Sequence, residues 1–111
     1  MNIEEYKQRA ELIRDNDIYK VYDLSELENL STSLTELYPK KSTTGHSHKD
    51  ADEVYLFIDG EGTIEVGEQT FQIKAGDIIL VPRGDFHRVH NQKEKKLSFW
   101  NVFEKYAGRG K

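Results

Sequence analysis

Short runs of β-branched and aromatic residues, each cut off by glycine or proline, constrain this chain more than any other feature. Residues 53–59 form one such run and stop at Gly60-Glu61-Gly62. Two alternating runs, 63–66 and 70–73, flank Gly67-Glu68-Gln69 and read as a hairpin. Residues 78–81 are wholly apolar and close at Pro82-Arg83-Gly84; residues 86–90 and 97–103 follow, separated by a charged turn. Upstream, 18–24 and 32–38 have the same texture. Strands this short, at this spacing, specify an all-β sandwich or barrel.

Only the beginning departs from that pattern. Ile3, Tyr6, Ala10 and Ile13 recur every three or four positions, which predicts one short N-terminal α-helix within residues 1–17. With 111 residues the chain is expected to be a single domain: the helix, a barrel over 18–103, and a flexible tail over 104–111 whose last residues, from Ala107, fray. The chain has no cysteine, which excludes thiolate metal sites and fits a reducing cytoplasm. Its start carries charges throughout and no apolar core, unlike a signal peptide. No run nears the ~20 apolar residues of a membrane span. A net charge of −4 argues against nucleic acid as a partner.

All four histidines fall in two segments. The first holds His46, His48 and, five residues on, Glu53; the second holds His87 and His90. On a strand, residues two apart share a face. His46 and His48 therefore point one way, as do Glu53, Tyr55 and Phe57. His87, Val89 and Asn91 share a face that excludes Arg88 and His90. If each set faces inward, three imidazoles and one carboxylate converge in the interior, with Asp50 and Asp52 as neighbouring carboxylates, and His90 is left outside. Neutral imidazoles with a carboxylate suit one divalent transition metal: Fe, Mn, Ni, Co or Zn.

The order and spacing of these residues resemble the cupin superfamily. His46-x-His48, Glu53 and Gly60 are similar to its first motif; Gly76, Pro82-x-Gly84, His87 and Asn91 are similar to its second. One position departs: where the family often has a glycine ahead of the first histidine, this chain has Lys40. The resemblance implies a single jelly-roll barrel with the metal held by His46, His48, Glu53 and His87. Thr43-Thr44-Gly45-His46, with Glu53-Val54-Tyr55, looks most like the cupin-type phosphoglucose isomerases of archaea, which implies substrate contacts at Thr43, Gly45 and Tyr55 and a phosphate near the first two.

These observations lead to an expected metal-dependent enzyme that acts on a small molecule in the barrel, a sugar or sugar-phosphate isomerase or epimerase. The metal polarises a carbonyl and its neighbouring hydroxyl; Glu53 takes the proton if it leaves the metal, and Tyr55 or a metal hydroxide does so if it stays bound. A non-haem Fe(II) dioxygenase and a non-catalytic ligand-binding or sensor protein are the alternatives. Family resemblance and exposed sheet edges also point to a homodimer.

Overall fold

The strand pattern pairs into two antiparallel sheets in the computed structural model, which describes residues 1–106. Helix α1 (Ile3–Arg9) precedes nine strands among the described residues: β1 (Glu11–Asp15), β2 (Tyr19–Leu24), β3 (Leu30–Leu37), β4 (Glu53–Asp59), β5 (Glu61–Val66), β6 (Gln69–Lys74), β7 (Ile78–Val81), β8 (His87–His90) and β9 (Leu97–Glu104). The larger sheet has the order β1-β2-β3-β9-β4-β7 and the smaller β6-β5-β8. Strict alternation on β4 and β9 buries Tyr55, Phe57, Leu97 and Phe99, which meet Ile64, Val66, Ile73 and Val89 from the other sheet. This is the all-β sandwich with one short helix expected from the strand spacing. Among the described residues no helix is long and apolar enough to cross a membrane.

The N-terminal helix is shorter than its apolar stripe suggests. It opens at Asn2, whose side-chain oxygen accepts the Glu5 amide at 2.9 Å, and it carries Glu4 and Glu5 in its first turn with Lys7 and Arg9 in its last. At Ala10 the backbone turns extended, and Glu11–Asp15 joins the sheet as β1 beside β2. Leu12 and Ile13 fit a helical stripe and an edge strand equally well; the open ladder of β2 decides between them, because pairing outweighs local propensity. A seven-residue helix is marginal alone. It is held on the outer face of the sheet by buried Tyr6, whose hydroxyl meets Thr32 Oγ1 at 2.8 Å, and by the Lys7–Glu36 ion pair at 2.6 Å.

That ion pair makes stability depend on pH. Burial pushes the Glu36 carboxyl up, but Lys7 and Lys96 outweigh it and hold it below its ordinary 4.5. The Glu36 contact, opposed by burial, holds the Lys7 ammonium above its ordinary 10.5. The stabilisation is therefore complete between those ordinary values. It fades as pH falls through the folded-state value of Glu36, and again as pH rises through that of Lys7. Glu36→Gln is expected to cost about 1 kcal/mol at neutral pH. In urea titrations across pH, the gap between variant and parent should close in acid.

Lys40, at the position that departs from the resemblance, is the one non-glycine with positive φ (+66°) among the described residues. A side chain there costs about 1–2 kcal/mol. Its ammonium returns part of that by donating to the Gln92 carbonyl at 2.9 Å and pairing with exposed Glu94 at 3.1 Å. Lys40→Gly should stabilise the fold by about 0.5–1 kcal/mol, read as a rise of a few degrees in Tm.

At the other end, Glu104 lies in β9 rather than in a tail, and Tyr106 packs against His48 with ring centroids 4.1 Å apart. The fraying expected of 107–111 falls outside the described residues.

Candidate metal centre

The two histidine segments meet because one lies alongside the other. Residues 41–46 run antiparallel to β8, although only isolated bridges connect them. The Asn91 amide donates to the Lys41 carbonyl at 2.9 Å and the Thr43 amide to the Val89 carbonyl at 2.9 Å. His46 and His87 exchange both backbone bonds, at 3.2 and 2.9 Å. Residues paired in this way project side chains to the same face, and the two imidazole centroids sit 4.5 Å apart. Farther along, the Gly84 amide donates to the His48 carbonyl at 2.9 Å, which fixes the second histidine of the segment.

Glu53 reaches the same point from the larger sheet, where it opens β4 with its side chain inward. One candidate donor atom from each of His46, His48, Glu53 and His87 lies within 4.8 Å of all the others. Glu53 Oε1 is 3.3 Å from His87 Nε2 and 3.5 Å from His48 Nε2, while the Asn101 amide donates to Oε2 at 2.9 Å. Asn101 thus turns one carboxylate oxygen away and presents the other to the imidazoles. Burial alone would raise the Glu53 carboxyl; contact with His87, the Asn101 bond and the His48 charge overcome this and hold it below the usual glutamate range.

The donors fit a divalent metal. His87 Nδ1 donates to the Asp85 carbonyl at 3.2 Å, so the neutral ring carries its lone pair on Nε2. That nitrogen is buried and makes no hydrogen bond, yet it faces an anionic oxygen. Two acceptors opposed at this distance repel unless a proton or a metal ion lies between them. Ligands held about 2.0–2.2 Å from one ion stand roughly 3 Å apart, close to the two separations seen here. Among the described residues this is the group of histidines and carboxylates gathered for such a role.

The cluster opens into a cavity of about 410 Å³ that is also lined by Thr43, Thr44, Tyr55 and Asn101. Tyr55 is buried and meets His87 edge-on, with centroids 6.0 Å apart. The Thr43 hydroxyl accepts the Val89 amide at 3.0 Å, so it secures the loop as well as bordering the cavity. A Cβ on Gly45 would lie 2.2 Å from Phe86 Cζ, so glycine lets that ring cover the loop. His90 stands outside the cluster, between Ser42 Oγ at 2.6 Å and Glu65 Oε2 at 2.5 Å. Arg83 pairs with Glu104 at 2.9 Å and with Asp52 at 3.5 Å, which accounts for its charge at the surface.

Asn101 and Tyr106 are missed by sequence reasoning. For Asn101 there was a signal: it is the polar member of the inward set Leu97, Phe99, Asn101 and Phe103, and a buried amide demands partners. Nothing in the local sequence marks Tyr106.

A family model described as "Cupin domain" matches residues 33–103, and the chain belongs to the cupin family. It is 30% identical to the glucose-6-phosphate isomerase of Pyrococcus abyssi, with 92% of this chain and 64% of that protein covered. It is also 30% identical to the acireductone dioxygenase of Leishmania major, with 78% of this chain and 27% of that protein covered. The chain therefore spans about a quarter of the dioxygenase and less than two thirds of the isomerase. Among solved structures, oxalate decarboxylase of Bacillus subtilis, a protein with Mn(II) centres, superposes with a TM-score of 0.80 at 24% identity, covering 89% of this chain and 28% of that one. At that identity the likeness concerns the fold.

Proposed function

We propose that this cupin binds one divalent first-row metal through His46, His48, Glu53 and His87, and catalyses isomerisation or epimerisation of a small sugar or sugar phosphate. The observation that carries the reading is the convergence of three imidazoles and one carboxylate on a cavity of about 410 Å³, within the usual range for small-ligand sites. A bound metal would polarise a carbonyl and acidify the adjacent C–H. Tyr55, beside His87 on the cavity wall, is one candidate to carry the proton, and Glu53 is the other. Thr43, Gly45 and Tyr55 are the proposed substrate contacts. Similarity to the Pyrococcus isomerase over most of the chain supports this reading; similarity to a dioxygenase supports a second, in which the metal is Fe(II) and the reaction consumes oxygen.

Incubation of metal-loaded protein with hexose and pentose phosphates in heavy water separates the two. Isomerase action is expected to place deuterium next to the carbonyl and to fail in Glu53→Gln or Tyr55→Phe. Absence of exchange together with substrate-dependent oxygen uptake would replace it with the dioxygenase reading. Tight binding with neither reaction would leave a ligand-binding protein.

A homodimer belongs to the same proposal. The apolar stripe Ile3, Tyr6, Ala10 and Ile13, by its sequence a face for docking on its own barrel or on a neighbour's, does not supply the contact in this proposal, since Tyr6 is buried against its own sheet and Ile13 lies in β1. The outer face of β4 and β7 does: Ile78 and Leu80 are 63% and 69% exposed on an edge strand, beside exposed Val54 and Leu56. Light scattering at micromolar concentration should give two chains for the parent and one for Leu80→Lys.

A further inference from the structure

β1 does not run regularly along β2. Leu12 opposes Tyr22, but Arg14 opposes Val21, so the β1 side accommodates one extra residue, Ile13. In an unbroken ladder Ile13 would oppose Val21, and Arg14 would oppose Lys20 on the outer face, where the Tyr22 ring meets Lys7 of the helix. The bulge moves Arg14 onto the row of Val21, which continues through Thr35 and Phe99 to Phe57 on the inner face. Bulges beside functional sites commonly serve to re-aim a side chain in this way. Arg14 lines the same cavity as the histidine cluster, and its Nη1 donates to the Ile13 carbonyl at 2.8 Å, which restrains the side chain.

The charges of this cavity have a clear sense. Among the described residues that line it, Arg14 is the one lysine or arginine and Glu53 the one aspartate or glutamate. Glu53 is engaged by the imidazoles and Asn101. A divalent ion there would more than offset its charge, so neither the cluster nor Arg14 would oppose an anion held between them. Along the sheet order, β1 lies four places from β4, which separates the cationic end from the cluster end. The hydroxyls of Ser33 and Thr35 lie on the strand between them. Guanidinium is also the side chain best matched to the planar or tripodal oxygens of an acid group.

We propose that Arg14 is an anion anchor: the cavity takes a small hydroxylated molecule that carries a carboxylate or phosphate at the Arg14 end and presents its other end to the cluster. This rests on the cavity being the substrate site, and it names the substrate class for that site. Three compounds of one carbon skeleton test it by calorimetric titration of the full chain: glycerol, glycerate and glycerol 3-phosphate. At least one anion is expected to bind about tenfold or more tightly than glycerol, and the tighter of the two identifies the acid group. Arg14→Gln should bring that anion within threefold of glycerol, while Arg14→Lys retains part of the preference and both variants keep the parent's metal content and Tm. Equal binding of all three compounds, no binding of any, or a preference that survives Arg14→Gln would each overturn the proposal. Titration of the chelator-treated protein keeps it distinct from the metal reading. The Arg14-dependent preference should persist there, whereas a chain that takes up no metal fails the metal reading alone.

Discussion

His87→Ala should lose nearly all metal at concentrations that saturate the parent. His87 is 2% exposed, its ring is fixed through Nδ1 by the Asp85 carbonyl, and Nε2 faces the shared carboxylate. Loss of an outer partner to a ligand costs roughly 10–100-fold in metal affinity, and loss of a ligand itself should exceed that. Because imidazoles bind metal only when neutral, the parent's affinity should also fall as the solution is made acidic. His90→Ala is the matched control. It breaks bonds to Ser42 and Glu65 outside the cluster, so it should keep its metal at a cost of about 1 kcal/mol in stability. Elemental analysis of both proteins decides the matter: full occupancy in His87→Ala, or equal loss in His90→Ala, would overturn the ligand set.

For Phe57→Ala the expected loss is in stability, about 3–5 kcal/mol. The Phe57 ring is 0% exposed and packs near Phe99 and Tyr55, with centroids 5.4 and 6.1 Å away. A cavity left there cannot collapse easily, since both neighbours are anchored on paired strands. Such a loss is a large part of the roughly 5–15 kcal/mol that holds a domain folded. Urea unfolding should show a lower midpoint with an unchanged slope. If the proposed site holds a metal in the folded state alone, metal at about a hundred times its Kd should restore some 2.7 kcal/mol. That rescue should be absent when His87 is replaced too.

Legibility in the sequence followed the reach of local rules. Glu53–Asp59 and Ile78–Val81 occur where their runs place them, because β-branched and aromatic residues bounded by glycine and proline leave few alternatives. The inward turn of Glu53 and His87 was legible by parity, since β4 and β8 are regular through them; His46 and His48 lie outside any regular strand and join them through backbone bonds to the second segment. Residues 10–15 were not legible, because Leu12 and Ile13 satisfy a helical period and an edge strand alike. The inward turn of Arg14 depends on a bulge that no period encodes. Asn101 acts from a neighbouring strand, and its relation to Glu53 exists only once β9 and β4 have paired.

The place of β9 also determines when the molecule can become whole. It lies between β3 and β4, so the strands before it form two fragments of the larger sheet that this one strand must join. A nascent chain leaving the ribosome would hold β1 to β3 and β4 with β7 as separate pieces, each with a raw edge, until residues 97–104 emerge. Contacts so distant along the chain are slow to form, and folding in the range of milliseconds to seconds is the expected regime. Until then Glu53 has no Asn101 beside it, so a metal ion arriving early would meet histidines but no oriented carboxylate.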